Sequence, residues 1–281
     1  MKNKKLIKRK DAVAGVIEAL LLVALVAIII STIQLVYIPQ MMEQRESDHM
    51  DDVENQFSYL KSVIDLQSMV KEDVPISSPI ILGSRELPYF VTARAFGQLD
   101  IIDKDRTDNY ILTDFLNVSL TSIKYKAHNS YFTDQTYALE GGCVIVKQPD
   151  GETVKIEAGI TIRNESTEIK INYSFPVITG ISGKNSTSGY KNCFIRTNYS
   201  SQIVYSGSTT FIRINTDYLD AWNVSLNKLL EEEVENGYVI IEKRPIGSAE
   251  YVSITPGSKS IYIELTVTYI GAQIGPGTVI I

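Results

Sequence analysis

Residues 1–40, MKNKKLIKRKDAVAGVIEALLLVALVAIIISTIQLVYIPQ, combine a basic start with a long apolar run. From Ala12 to Ile38 the only fully charged side chain is that of Glu18. A helix of this length would span roughly 40 Å, more than the roughly 30 Å of a bilayer's hydrocarbon core. A secretory signal has a shorter apolar core, of about 7–15 residues, followed by a small-residue cleavage site. Neither feature is found here, so residues 12–38 are predicted to be a retained transmembrane helix.

Charge is divided unevenly along the chain. The net charge of the first ten residues is +6 and that of the whole chain is −6, so residues 11–281 have a net charge of −12. Basic residues beside a membrane helix stay on the cytoplasmic side. Residues 1–11 are therefore predicted to form a cytoplasmic head, and the C-terminal part to lie outside the cell. Nucleic acid is not expected as a partner, because its phosphates require a basic surface that this acidic remainder does not offer.

Beyond the membrane segment, residues 39–73 are predicted to form an amphipathic stalk helix. Pro39 is expected to end or kink the membrane helix, and Pro75 marks a stop, because proline disfavours a helical conformation in the preceding residue. Apolar residues recur at spacings of three and four, as expected for one packed face, with charges filling the opposite face. This stripe consists of Met50, Val53, Phe57, Leu60 and Ile64.

Residues 74–281 have the alternating pattern of β-strands. The segments Gly141-Gly142 and Pro149-Asp150-Gly151 predict turns between them. One helix is expected at about 217–235, capped by Thr216 or Asp217 and closed by Gly237. The predicted fold is therefore α+β, mostly β: a long transmembrane-plus-stalk helix followed by an antiparallel, β-sandwich-like extracellular domain with one packed helix.

The sequence contains few of the residue patterns that are typical of catalytic or metal-binding sites. There is no nucleophile elbow, glycine-rich phosphate loop or metalloprotease helix. His49 lies among acids that spread around the predicted stalk helix, which favours a solvated face over a cation site, and His128 is expected in a turn. We therefore predict a non-enzymatic protein without a cofactor or a metal site. Cys143 and Cys193 either form a disulfide, which an extracellular location would allow, or remain small core residues.

Six N-x-S/T sequons lie in the predicted extracellular part, and none lies in the stalk. Roughly two would be unremarkable in a chain rich in asparagine, serine and threonine. The excess favours an N-glycosylated surface domain, if the organism has the machinery. The acceptors are Asn117, Asn164, Asn172, Asn185, Asn198 and Asn223. Asn223 lies inside the predicted helix and is the least suitable.

The order of these segments resembles archaeal type IV pilin-like and archaellin-like cell-surface proteins. The stretch DAVAGVIEALLLVALVAIII is similar to the N-terminal helix of that group. VYIPQMMEQRESDHMDDVENQFSYLKSVI resembles the segment after the membrane in archaeal envelope homologues, with Pro39, Glu46, His49 and Leu60 in comparable roles. Two further stretches resemble short sequence motifs that recur in the outer domains of these proteins: SIKYKAHNSYFTDQTYALEGGCVIVKQPDG and YLDAWNVSL. Together these stretches cover about half the chain.

The resemblance implies processing by prepilin peptidase and assembly through the apolar helix. In that family an acid such as Glu18 neutralises the new terminal ammonium of a neighbouring subunit. Processing is expected near Lys10 and Asp11, although archaeal heads are commonly cut after Lys-Gly or Arg-Gly. A cut after Lys10 would make Glu18 the eighth residue of the mature chain. Subunits would bury the face formed by Glu18, Ala19, Leu22, Val26 and Ile29.

Three functions are compatible with these features. The first is a pilin-like envelope protein that contacts membrane lipid, prepilin peptidase, copies of itself and other pilin-like subunits in a surface filament. The second is a permanently anchored glycosylated protein with an adhesive or ligand-binding β domain. The third, an extracellular enzyme using Asp or Glu residues, would require a cleft with closely placed carboxylates.

Overall fold

The computed structural model describes residues 4–84, 95–181, 183–246 and 249–275, with side chains omitted for 4–12, 245–246 and 249. The first residues of the predicted basic head and the last six of the chain lie outside it. Four α-helices are present within these ranges, and a five-residue π-helical turn, Ile33–Tyr37, joins the first two. They are α1 Lys4–Thr32, α2 Ile38–Val70, α3 Leu219–Leu229 and α4 Glu231–Glu235.

The rest of the described chain is mostly strand. The strands are β1 Ile76–Ile81, β2 Phe96–Ile102, β3 Tyr110–Leu112, β4 Asn117–Ser119, β5 Ser122–His128, β6 Thr136–Glu140, β7 Cys143–Gln148, β8 Gly151–Ile156, β9 Gly159–Asn164, β10 Glu168–Gly180, β11 Ser186–Gly189, β12 Asn192–Thr209, β13 Ile212–Asn215, β14 Val239–Ile246, β15 Ala249–Pro256 and β16 Ser260–Gly275. Sheet A has the order β1-β12-β16-β10-β9, sheet B β11-β2-β5-β6-β7-β8, and sheet C β14-β15-β13-β3-β4.

The predicted fold class is confirmed: one long N-terminal helix precedes a mostly β domain with several antiparallel sheets. One pairing departs from the antiparallel rule. Strands β10 and β16 run parallel over 13 residue pairs, from Glu168 opposite Ser260 to Gly180 opposite Ala272. Parallel neighbours require a long connection, and here 79 residues, containing β11 to β15 and both short helices, separate the two strands.

The predicted turn at Gly141-Gly142 joins β6 to β7. Both glycines have positive φ, +56° and +83°, a left-handed conformation that side chains with a Cβ rarely adopt. Space is also short at Gly141, where an added Cβ would lie 2.7 Å from the Tyr173 hydroxyl. That hydroxyl donates a hydrogen bond to the Gly141 carbonyl at 2.6 Å.

Two apolar clusters hold the domain together. The first, the α2 core, contains the predicted stripe of α2 and side chains from sheets A and B, such as Ile195 and Leu99. All five stripe residues, Met50, Val53, Phe57, Leu60 and Ile64, are at most 1% exposed. The second, the α3 core, contains Trp222 and Leu226 of α3 with strands of all three sheets. Full burial of one large apolar side chain stabilises the folded state by about 1.5–3 kcal/mol.

The second half of the long helix differs from a stalk. α2 packs into the β domain along its length instead of standing apart, since its buried residues run from Ile38 to Gln67. It ends at Val70, where Lys71 adopts a left-handed conformation with φ 60°, four residues before Pro75. The charges do not all lie on the opposite face either, because Glu46, His49 and Lys61 are buried.

The predicted helix at 217–235 is two helices. Leu230 leaves the helical region, with φ −106° and ψ 21°, and separates α3 from α4. Neither Thr216 nor Asp217 caps α3. The Glu152 carboxylate, from β8, instead accepts hydrogen bonds from the first-turn amides of Asp220 and Ala221 at 2.7 and 3.3 Å. Gly237 follows α4 with φ +66°, as its predicted closing role requires.

Candidate membrane anchor and its junction with the β domain

Residues 13–37 of the long helix are exposed and, apart from Glu18 and a few uncharged polar residues, apolar. Mean hydropathy reaches 3.0 over its most apolar 18 residues, and none of that window is buried. One helix of the described chain is thus long and apolar enough to span a membrane. Lys10 and Asp11, the predicted processing region, lie in the backbone of α1, and their side chains are outside the description.

The predicted assembly residues share one face of α1. Because each residue of an α-helix turns by about 100°, these positions fall within an arc of about 100°. All are exposed in the single chain, so each is available to lipid or to another helix. They are Glu18, Ala19, Leu22, Val26 and Ile29.

The helix continues through Pro39, but its geometry before the proline is not that of a regular α-helix. Proline has no N–H to donate, and its ring clashes with the carbonyl four residues earlier. The helix widens before it into the π turn, where the Ile38 N–H donates to the Ile33 carbonyl, five residues earlier. The burial pattern changes at the same place: residues 13–37 are exposed, whereas Ile38 and Met42 are buried.

Glu46 fixes α2 to the loop between β5 and β6. Its carboxylate is fully buried and accepts hydrogen bonds from three successive backbone amides, those of Ser130, Tyr131 and Phe132, at 2.7–3.1 Å. The loop is held by a bond from the Asn129 amide to the Asp134 carboxylate at 2.7 Å. A buried carboxylate with several N–H donors is a strongly bound group, so this contact locks the helix to the domain.

His49 makes a second polar contact at the junction, and its predicted place on a solvated face is wrong. It is 5% exposed, and its Nε2 lies 3.0 Å from the Tyr125 hydroxyl, which donates to the Leu82 carbonyl at 2.9 Å. Burial lowers the pKa of His49, and the carboxylates of Asp52 and Glu46 oppose that shift. A neutral imidazole therefore suits this position.

A small cavity of about 390 Å³ opens beside His49, between α2 and the end of β1. Arg45, Asp48 and Asp52 line it with Ser84. His128, the other histidine, is not in a turn. It ends β5, pairs with Phe96 of β2, and its ring stacks on the Phe96 ring with 4.6 Å between centroids.

A disulfide, one of the two alternatives for the cysteines, does not form. Cys143 and Cys193 are both buried free thiols. They cannot meet because Cys143 lies in the α3 core and Cys193 in the α2 core. Burial raises the pKa of both thiols, that of Cys193 to about 12. Each is therefore a small apolar side chain of its core, the other reading of the sequence.

The six sequon asparagines differ in accessibility. Asn117 and Asn164 are exposed at strand ends, while the others are partly buried. The Asn198 side-chain amide is already bonded to the Asp73 carboxylate at 2.8 Å, and that of Asn185 reaches Asp103 at 3.4 Å. Glycan attachment needs an accessible side-chain nitrogen that is free to react. Asn117 and Asn164 are therefore the best placed of the six, and the less accessible ones are Asn172, Asn185, Asn198 and Asn223.

A polar cavity of about 710 Å³ lies beside the N-terminus of α3. Its two lysines already have partners: Lys147 pairs with Glu152 at 3.2 Å, and Lys243 pairs with Asp220. Within the described ranges, no group of three or more His, Cys, Asp or Glu side chains is arranged to hold a metal ion.

One buried acid has unusual protonation. Burial raises the pKa of Glu140 to about 7, although hydrogen bonds from the Thr216 hydroxyl and the Trp222 indole N–H favour its charged form. Its side chain has almost no solvent contact, with 1% of the residue exposed. A substrate could not reach it without opening the α3 core. Glu140 is therefore a structural group of that core.

No family model matches this chain, and no similar curated protein or solved structure was found. The acids near Glu46 and His49 spread around the helix, and that pattern predicts a solvated face. One signal points the other way. Met42, Glu46 and His49 continue the stripe that begins at Met50 with the same helical spacing, so their positions predict burial even though their chemistry does not.

Proposed function

We propose that the protein is a non-enzymatic, pilin-like envelope protein of an archaeal cell surface. Its N-terminal helix anchors it in the membrane once, with a cytoplasmic N-terminus and an extracellular β domain. One observation supports this most: a single continuous helix, Val13–Val70, has an exposed apolar half and a half that is part of the domain core. A cleaved signal or a flexible tether would not be built into the domain in this way.

Rigid coupling of anchor and domain supports an assembly role. The Glu46 carboxylate, the His49–Tyr125 contact and the buried stripe all fix the orientation of α2. The apolar half therefore projects from the domain at a defined angle. In a filament, many copies must present their helices in the same geometry, which such a junction provides.

Assembly would bury the face of α1 that contains Glu18, Leu22 and Val26. Small and branched apolar residues would set the packing between helices. Glu18 would need a cationic partner there, because an unpaired charge in apolar surroundings is costly. The new terminal ammonium of a neighbouring copy, created by prepilin peptidase, would supply it.

Mass spectrometry of the N-terminal peptide of the native membrane protein tests this proposal. A mature start between Asp11 and Gly15 is expected if the peptidase acts on the chain. Cysteine cross-linking of the native assembly adds a geometric test. Leu22→Cys, on the proposed face, should give more disulfide-linked dimer than Leu20→Cys on the opposite face, and the buried native thiols should not react. Equal yields would count against the proposed face.

A second candidate is a permanently anchored, glycosylated surface protein with an adhesive or ligand-binding domain. The sequence Lys10-Asp11 favours it, because the resemblance leads one to expect a glycine after the basic residue. An intact Met1 in the native protein would support this candidate. Six basic residues would then remain at the N-terminus and could not enter an apolar filament core.

A further inference from the structure

Strand β12 has an open edge. It pairs with β1 only over Asn192–Thr197, whereas its pairing with β16 continues to Thr209. Beyond Thr197, therefore, one side of β12 has no strand neighbour within the described ranges. The side chains of Ile203 and Val204 are 43% and 56% exposed there. Unpaired N–H and C=O groups along such an edge can bond another strand.

Side chains close both ends of this edge. At its start, the Asn198 amide bonds the Asp73 carboxylate at 2.8 Å, next to the end of α2. At its end, the Phe115 ring covers one face of the strand at Gly207, where an added Cβ would be 3.2 Å from it, and the neighbouring Asp114 carboxylate accepts a hydrogen bond from the Thr210 backbone N–H at 2.5 Å. The open stretch is therefore Ser201–Ser206, six residues long.

The edge lacks the features that prevent strand pairing. Residues 197–212, TNYSSQIVYSGSTTFI, contain no charged residue and no proline. Every other edge strand among the described residues is protected by a proline, by charge or by its shortness. Thus β1 contains Pro79, β8 Glu152 and Lys155, β9 Arg163, and β14 Glu242, Lys243, Arg244 and Pro245, while β4 and β11 have three and four residues.

β12 runs in the same direction as α2, away from the anchor. The Gln56 side chain accepts a hydrogen bond from Ile81, which pairs with Asn192 at the start of β12. Further along both elements, the Gln67 amide reaches the Thr197 carbonyl at 2.9 Å, and the Gln202 amide reaches the Ser68 carbonyl at 3.4 Å. Reversing the direction of β12 would therefore also reverse the direction of the anchor.

We infer that Ser201–Ser206 pairs antiparallel with the same edge of a second copy of this chain, anchored in a facing membrane. Antiparallel pairing is the more stable kind per residue, and a two-fold axis makes one edge complementary to itself. The outer parts of two copies are both acidic, so they repel each other least through a charge-free strand. Because β12 and α2 run together, this pairing places the two anchors at opposite ends.

Two features of the contact can be estimated. From Ile38 to Ser68, α2 rises about 45 Å, so the two membrane surfaces would be roughly 90 Å apart. Six residues give a short contact, so a single pair would be weak. Many copies on each membrane would make the contact strong through multivalency.

The inference rests on the proposed function for the outward placement of the domain, and liposomes can separate the two. The full chain is reconstituted into liposomes of two colours, and flotation first reports whether it is anchored. Co-clustering of the colours then reports pairing, and electron cryo-microscopy measures the membrane spacing. Val204→Lys should reduce clustering at least tenfold. Ile240→Lys, at an isoleucine that is 47% exposed on the charged edge strand β14, is the matched control and should cluster like the wild type.

Each outcome is informative. Floating liposomes that do not cluster would overturn the inference and leave the anchoring proposal intact, as would clustering that Val204→Lys does not reduce or that needs a divalent cation. If the chain does not float, anchoring fails, and sedimentation of the detergent-solubilised chain decides the pairing. Because a single pair is weak, the chain is sedimented over a range of concentrations. A wild-type dimer that appears at high concentration and that Val204→Lys abolishes would support the pairing, whereas a wild-type chain that stays monomeric at the highest concentration would overturn it. The fluorescence of Trp222, the only tryptophan, verifies that each variant is folded.

Discussion

The two halves of the long helix form one continuous backbone but lie in opposite environments. Residues 13–37 are exposed and almost wholly apolar, whereas residues 38–70 alternate apolar and polar and form part of the α2 core. The acids show the difference best. Glu18 lies exposed in the apolar half, while Glu46 is buried and holds three backbone amides. The helix itself is therefore compatible with either setting, and side-chain pattern decides which half enters the domain.

The largest expected effect comes from removing an aromatic side chain from the buried half. Phe57 is fully buried in the α2 core, so Phe57→Ala should lower the free energy of unfolding by about 3–5 kcal/mol. Leu25→Ala, in the exposed half, should change it by less than about 0.5 kcal/mol. Denaturant unfolding of the detergent-solubilised chain, followed by Trp222 fluorescence, measures both. Similar losses for the two variants would erase the distinction between the halves.

The stripe that contains Phe57 is also the part of the fold that sequence predicts best. Its spacing of three and four depends only on local helical geometry, so Met50 to Ile64 could be assigned to one packed face. The break at Leu230 and the capping of α3 by Glu152 could not. The capping depends on where β8 lies relative to α3, which no local pattern contains. Leucine is a good helix former, so the residue type at position 230 does not mark the break.

The next effect tests the core that α2 does not reach. The pKa of Glu140 is about 7 in the folded chain against 4.5 as its ordinary value, so its contribution to stability is full below pH 4.5 and is lost as the pH rises to 7. Glu140→Gln removes this dependence. The stability of the variant relative to wild type should increase by about 3 kcal/mol between pH 4.5 and pH 8. A constant difference across that range would mean that Glu140 is charged in the folded state.

Glu46 tests the junction directly. Glu46→Ala would leave the backbone amides of Ser130, Tyr131 and Phe132 without their charged acceptor, which should cost about 2 kcal/mol. Glu43→Ala, on the exposed side of the same helix, should cost less than about 0.5 kcal/mol. Hydrogen exchange adds a local measurement, since those three amides should exchange faster only in the Glu46 variant. Unchanged protection would show that another group holds the loop.

The junction was hard to predict for a physical reason. The partners of Glu46 and His49 lie about 80 residues away in sequence, in β5 and the loop after it. A polar residue on a helix is normally solvated, and only a tertiary contact makes its burial favourable. The choice between a disulfide and two core cysteines stayed open for a related reason, because the spacing of Cys143 and Cys193 does not show that they belong to different cores.

The smallest expected effect is a pH dependence at His49, opposite in sign to that of Glu140. Burial lowers its pKa below the ordinary 6.5, so its stabilising contribution is present above pH 6.5 and is lost as the pH falls through the folded value. The loss is at most about 1.4 kcal/mol per pH unit. Comparing Glu140→Gln with the double variant Glu140→Gln/His49→Gln isolates it, and the double variant should have the flatter profile below pH 6.5. An equal slope in both would mean that His49 accepts a proton in place, with Asp52 and Glu46 compensating for its burial.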